Sequence, residues 1–153
     1  MKRDIWETKV RSIKTDQQIA ESFLVVKQLR THQNKENYIE VIKEMMKCQN
    51  YHMFGLYDPI EEWKLLAVIG FTPTLTLYYG HIIWVHDLVT DETERGNGYG
   101  EHLLAFVEEE WAQKHGYDAV VLTSGFEKTR AHHFYTEHMS YEKVSYLFKK
   151  KMR

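Results

Sequence analysis

The stretch DETERGNGYGEHLL, residues 91–104, places Gly96, Gly98 and Gly100 directly before an apolar-periodic run. Glycines at such a junction let the backbone approach a ligand closely, and a helix starting there offers unpaired N–H groups and the positive end of its dipole. The chemistry this favours is anion binding, with a phosphate as the natural guest. Arg95, just before the first of these glycines, can add a charge-assisted contact. A nucleotide-triphosphatase loop would end in Gly-Lys-Ser/Thr, whereas Gly100 is followed by Glu101 and His102. A dinucleotide-binding loop needs G-x-G-x-x-G after the first strand of a βαβ unit, and this chain reads G-x-G-x-G well past its middle. The remaining alternative is that the glycines only make a tight turn and a cap.

Other reactive side chains form weaker patterns. His132, His133 and His138 stand in neither H-x-x-x-H nor H-E-x-x-H register, so solvated positions are expected and no metal is predicted. Cys48, in MMKCQN, has no nucleophile context and reads as a buried or half-buried structural thiol. The run Glu108, Glu109, Glu110 reads as a solvated helix face.

The elements that must position these groups follow from periodicity. A short strand near residues 8–14 leads to Thr15, which with Gln18 forms a capping-box pattern; Ile19, Ala20, Phe23, Leu24 and Val26 then give a helical apolar face. A second helix buries Tyr38, Ile39, Val41, Ile42, Met45 and Met46, the methionine pair as core filler. Four β-rich runs, at 51–58, 64–71, 74–80 and 81–90, read as an antiparallel meander. After the glycines, Leu103, Leu104, Val107 and Trp111 define a helix over about 98–115, and the apolar run DAVVLT (118–123) reads as a strand covered on both faces. A helix of that length between two strands implies a right-handed crossover with parallel pairing. A short helix over about 128–138 and a last strand, EKVSYLFKK, complete the order β-α-α-β-β-β-α-β-α-β, a mixed α/β (α+β) design.

Composition bounds the function. At 153 residues with 43% hydrophobic content the chain fits a single domain, 1–153, with material for a packed core. A net charge of −2 gives no field that would gather nucleic acid, so any anion must be held by local geometry. One cysteine excludes an internal disulfide framework and fits a reducing cytosol. The start, MKRDIWETKV, has no apolar signal core, and the longest apolar run, LLAVIGF, is far shorter than the roughly 20 residues that cross a bilayer. A cytoplasmic protein without a membrane partner is therefore expected.

RGNGYG resembles the R/Q-x-x-G-x-G/A loop of the GNAT superfamily of acyl-CoA-dependent N-acetyltransferases, and it stands where that family has it, between the fourth strand and the third helix. VHDLVT is similar to the family's central strand. TRAHHFYTEHMSYEKVSYLFKK resembles its closing segment, in which A-x-x-F-Y precedes a turn and a last strand. The resemblance covers most of the chain. It implies the GNAT fold, a central mixed, mostly antiparallel sheet of about six to seven strands flanked by about four helices, and acetyl-CoA as co-substrate.

By that resemblance the pyrophosphate sits on Arg95, Gly96, Asn97, Gly98, Tyr99 and Gly100. The pantetheine pairs with Leu88, Val89 and Thr90 in a wedge between residues 85–90 and 119–124, with Phe134 also against the cofactor. The Leu88 N–H is the implied oxyanion donor. Tyr135, whose hydroxyl has an ordinary pKa of ~10, matches the family's proton donor to the leaving thiolate. His86, ordinarily at ~6.5, occupies the slot of a carboxylate base in polyamine-type members. Asp87 is the alternative: base, orienter of His86, or attractor of an ammonium. Unless a bulge intervenes, 86 and 87 face opposite sides of the strand, so only one of them is expected to face the amine.

The acceptor expected is a small amine or a protein or peptide amine, acetylated directly through a ternary complex. Substrate choice falls to the loop RTHQNKENY and the 72–80 hairpin, and Asp87, Asp91, Glu92 and Glu94 hint at a cationic substrate. Exposed aromatic content in LYYGHIIW permits a homodimer. A non-catalytic acyl-CoA sensor is the other class, and acetyl-CoA binding against NADH and ATP controls separates a true cofactor loop from a mere turn.

Overall fold

A computed structural model describes residues 8–153; the opening MKRDIWE lies outside them. Two compact units divide the chain after Val121. The first begins with β1 (Lys9–Ser12), α1 (Asp16–Val26) and α2 (Lys35–Cys48). Three strands follow, β2 (His52–Asp58), β3 (Lys64–Thr76) and β4 (Gly80–Thr90), then α3 (Tyr99–Phe106) and β5 (Ala119–Leu122). The strand order β1-β2-β3-β4-β5 makes one five-stranded sheet of the GNAT type.

Local chemistry fixes the helix starts. The Thr15 hydroxyl accepts from the Gln18 N–H at 3.1 Å and the Gln18 side chain accepts from the Thr15 N–H at 3.0 Å, the capping box expected from sequence. Asn34 caps α2 through Asn37 N–H at 2.9 Å. Strand alternation then sends successive side chains to opposite faces of the sheet. Tyr51, Met53, Val68 and Val89 join Ile19, Phe23, Val26, Tyr38 and Ile42 in the core beneath α1 and α2. On the other face, Phe54 and Phe71 pack with Trp111, at ring-centroid distances of 6.0 and 5.0 Å, and Phe54 with Phe106 at 5.1 Å. That aromatic layer seats α3 and its continuation. After Phe106 the helix widens into π-helical turns over Val107–Gln113, where the expected helix continues without a break.

Three expectations need correction. The runs at 64–71 and 74–80 form one strand: Pro73 lies beyond the His52–Phe71 pair where β2 pairing ends, so its missing N–H breaks no ladder on that side. The segment EKVSYLFKK forms no strand. Its alternation gives β propensity, but a strand exists only where a neighbour takes its N–H and C=O groups, and residues 142–150 make no such ladder among the described residues. Among the described residues the strand count is therefore five. Third, Cys48 is exposed, because it ends the last turn of α2 beyond the buried Tyr38 and Ile42.

The second unit, residues 122–153, holds α4 (Thr129–His133) and π-helical turns over Phe134–His138. Val144, Tyr146, Leu147 and Phe148 are exposed. In LYYGHIIW, Leu77 and Tyr78 are exposed whereas Ile82 and Ile83 are fully buried, so the exposed apolar surface of that stretch lies at the tip of the β3–β4 hairpin, next to the exposed Leu75.

Candidate active site

The register of β3 with β4 jumps where Gly70 faces Asp87 and Phe71 faces Val85, leaving His86 as the extra residue of a β-bulge. The bulge cancels the alternation between 86 and 87. Both side chains line a cavity of about 360 Å³ that Arg30, His32 and Gln33 border from the loop after α1, and Tyr38, Val41 and Met45 from α2. This is the exception on which the expected separation of the two depended, and the bulge places 86 and 87 on the same side. Met45 and Val41 border the cavity as well as adding to the helix's apolar face.

Each group at the bulge has a defined partner. Asp87 Oδ1 accepts from Arg30 Nε at 3.0 Å, and Oδ2 accepts from the Tyr51 hydroxyl at 2.7 Å. Arg30 Nη2 also donates to the His86 carbonyl at 2.8 Å, so one guanidinium ties the loop after α1 to the bulge. The Asp87 side chain is 12% exposed and that of Arg30 41%. Burial, reinforced by the Asp87 charge, pushes the Tyr51 hydroxyl well above its ordinary pKa and keeps it a donor. Gly70 makes this contact possible: a Cβ there would fall on the Tyr51 hydroxyl. Beside it, Tyr38 is pushed up to about 12, by burial first and against the Ser22 hydrogen bond.

His86 Nε2 lies 2.8 Å from the Thr72 hydroxyl, and its ring stacks on Trp84 at 6.0 Å. Desolvation lowers its pKa below 6.5; Asp87 opposes that shift and Arg30 adds to it. At neutral pH the imidazole is neutral and can accept a proton.

The other side of β4 follows from the ladder. Asp91 N–H donates to Leu66 C=O at 2.9 Å, so residue 91 bonds toward β3. Antiparallel pairing alternates, so Val89 and Asp87 also bond toward β3, while Leu88 and Thr90 turn their N–H and C=O to the opposite edge. Consistent with this, the Thr90 carbonyl accepts from Arg95 Nε at 3.4 Å. Val89 is buried, with its side chain in the core below α1 and α2.

Beyond Thr90, Asp91 caps a short 3-10 turn, and the Asn97 side chain donates back to the Glu94 carbonyl at 2.9 Å. Gly96 and Gly98 take φ of +85° and +80°, and Gly98 is the N-cap of α3 with no side-chain hydrogen bond. A Cβ at Gly96 would meet open space, and one at Gly100 would meet only the Thr90 hydroxyl at 3.6 Å. The buried Tyr99 anchors the first turn. Bare backbone, a helix start without a side-chain acceptor and Arg95 at the rim fit a phosphate group.

The acidic residues expected to attract a cation are largely engaged. Glu94 pairs with Lys64 at 2.8 Å, Asp91 accepts from Thr93, and Asp87 belongs to Arg30 and Tyr51. Phe134 and Tyr135 lie in the second unit, their rings 5.3 Å apart, and the Tyr135 carbonyl accepts from Tyr141 N–H at 2.8 Å. Burial raises the Tyr135 hydroxyl above its ordinary pKa. His132 Nε2 lies 2.8 Å from the Gly125 carbonyl, and among the described residues no group of three or more His, Cys, Asp and Glu is placed to hold a metal. No helix among them is long and apolar enough to cross a membrane.

Arg30, Tyr51, Gly70 and Thr72 are absent from the sequence-based set. One signal was available: Gly70 interrupts the apolar run LLAVIGF, and a glycine inside a strand marks a bulge or a close approach.

The model of the acetyltransferase (GNAT) family matches residues 20–141. An uncharacterized N-acetyltransferase of Bacillus subtilis (strain 168), YhdJ, is 33% identical over 141 residues, covering 92% of this chain and 96% of that protein. The fold is similar to that of a transcriptional regulator from Bacillus halodurans C-125, with a TM-score of 0.80 at 19% identity, over 95% of this chain and 99% of that one. It is also similar to aminoglycoside N-acetyltransferase AAC(6')-Iy in complex with CoA, with a TM-score of 0.79 at 12% identity, over 95% of each chain. The family match over most of the sequence, joined to that bacillar relative, makes the chain a member of the GNAT family of acetyl-CoA-dependent acetyltransferases.

Proposed function

We propose that the protein moves an acetyl group from acetyl-CoA directly to a primary amine, small or carried on an amino acid or peptide, seated in the cavity between the α1–α2 loop and the β4 bulge. The observation that carries this reading is the bulge: it brings His86 to the cavity while the Leu88 N–H turns to the opposite edge of the strand. Acetyl-CoA supplies an already activated thioester. The protein's task is then to position the amine, remove its proton and protonate the leaving thiolate.

His86 is the proposed base. An alkylamine with a pKa of ~10.4 reaches the site protonated, and a neutral imidazole can take that proton directly or through water. Both oxygens of Asp87 are already engaged by Arg30 and Tyr51, which supports an anchoring role for it. Leu88 N–H is the proposed oxyanion donor. Residues Arg95 to Gly100 would hold the pyrophosphate, and Leu88 to Thr90, with Phe134, the rest of the cofactor. Tyr135 is the proposed acid, and its raised pKa keeps it protonated until a thiolate forms. The mixed lining, with Arg30 beside Asp87 and with Val26, Val41 and Ile42, favours an amine carrying an apolar body. Such a reaction fits a cytoplasmic protein, active as a monomer or a homodimer.

A calorimetric titration with acetyl-CoA, with NADH and ATP as controls, followed by an amine panel scored by CoA release, tests the reading. Selective acetyl-CoA binding with turnover on one amine class supports it. Binding without turnover on any amine would leave an acyl-CoA sensor, and no binding of acetyl-CoA or CoA would overturn both.

A further inference from the structure

We infer that Thr72 and Thr74 are positioning residues that fix the tautomer of His86, placing its ring proton on Nε2 and leaving Nδ1 as the atom that accepts the proton of the amine. Three contacts carry this: His86 Nε2 to Thr72 Oγ1 at 2.8 Å, Thr72 Oγ1 to Thr74 Oγ1 at 3.2 Å, and Thr74 Oγ1 to the Thr72 carbonyl at 3.3 Å. A carbonyl only accepts, so the single hydroxyl proton of Thr74 is spent on it. Thr74 Oγ1 must then accept from Thr72. With the Thr72 proton directed to Thr74, its oxygen can only accept from His86, which requires a proton on Nε2. The chain runs in one direction, from Nε2–H through two hydroxyls to a backbone carbonyl.

The geometry holds this polarity in place. Thr72 is 6% exposed and paired with Trp84 across the ladder, one residue beyond the bulge, so bulk water competes little for its hydroxyl. The Trp84 ring lies within 6° of parallel to the imidazole and limits its rotation. Nδ1 makes no hydrogen bond among the described residues. When Nδ1 takes a proton from the ammonium, the N–H bond of the amine breaks and an N–H bond forms on the ring. The resulting imidazolium keeps its Nε2–H on Thr72, and the Nδ1 proton leaves to solvent before the next turnover. An oxygen able only to accept there also stabilises the imidazolium with a charge-assisted bond.

The proton-acceptor role rests on His86 being the base; the tautomer does not. The test is 15N-NMR of histidine-labelled full-length protein near pH 8, with the His86 signal assigned by its loss in His86→Gln. A protonated Nε2 and an unprotonated Nδ1 are expected, and a dominant Nδ1–H tautomer would overturn the inference. Thr72→Val should give mixed tautomers and, with the best amine of the panel, about a tenfold lower kcat at an unchanged KM for acetyl-CoA, whereas Thr72→Ser should restore both. An unmixed His86 signal in a folded Thr72→Val protein would also overturn it. A normal kcat in His86→Gln would remove the base role while the NMR result still decides the tautomer.

Discussion

Asp87 shows how one residue's partners redefine its work. Its two oxygens take Arg30 and Tyr51, and an amide in its place has a single acceptor oxygen, so either the guanidinium or the Tyr51 hydroxyl proton loses its acceptor. Asp87→Asn should therefore lower the free energy of unfolding by about 1–3 kcal/mol. Tyr51→Phe should cost less, about 1 kcal/mol, because the carboxylate keeps the guanidinium. In a double-mutant cycle by urea denaturation the two losses should be clearly non-additive; strict additivity would mean that the 2.7 Å contact contributes nothing. Tyr135 is a contrasting case, with its carbonyl used in a backbone bond and its hydroxyl protonated through burial. Tyr135→Phe should cut turnover about 10²-fold or more and leave acetyl-CoA affinity unchanged by calorimetry. An unaltered kcat would strip it of the acid role.

At the scale of elements, the junction of β4 with α3 was the most legible part of the chain. Gly96 and Gly98 read as a backbone cleared for a ligand, and both adopt positive φ before a helix whose N-cap offers no side chain. Gly98→Val forces a branched residue to φ near +80°, at about 1–2 kcal/mol of strain. It should abolish acetyl-CoA binding while the thermal midpoint drops by only a few degrees; retained affinity would show that the loop is only a turn. The capping box at Thr15 and the core face of α2 were legible for the same reason, since each depends on residues three or four apart; on α1, Ile19, Phe23 and Val26 are buried as expected, whereas Leu24 is exposed and Val25 is buried in its place. The bulge was not. A register jump depends on where two strands pair, and the residues that secure it lie far off in sequence, 57 positions for Arg30 and Asp87 and 36 for Tyr51 and Asp87. Propensity likewise overstated the number of strands: the runs at 64–71 and 74–80 read as two but join in one strand through Pro73, where β2 has ended, and residues 142–150 had the alternation of a strand without a ladder.

Across the whole first unit, the fold stores a pH dependence in three histidines whose charge it disfavours. His52, His86 and His102 all have pKa values lowered from 6.5, each by desolvation first, with Lys14 adding to the shift at His52 and Glu109 opposing it at His102. A lowered value means that between the folded pKa and 6.5 the unfolded chain binds more protons than the native one, so stability rises with pH across that window. The contribution is fully present above 6.5 and is lost as pH falls through it, in the direction opposite to that of a histidine held by a carboxylate. His52 packs on Trp111 at a ring-centroid distance of 4.5 Å and on Phe71 at 5.6 Å, inside the aromatic layer that seats α3. Its protonation thus places a charge against the surface that supports the glycine loop. Urea denaturation followed by tryptophan fluorescence should give a constant midpoint from pH 8 to about 7 and a falling one from 6.5 toward 5.5. His52→Gln should flatten that fall, since glutamine carries no proton to gain, at the expense of packing against Trp111 at every pH. A midpoint that climbs as the pH drops from 7 to 5.5 would mean that the three rings are stabilised when charged, contrary to the desolvation that surrounds them.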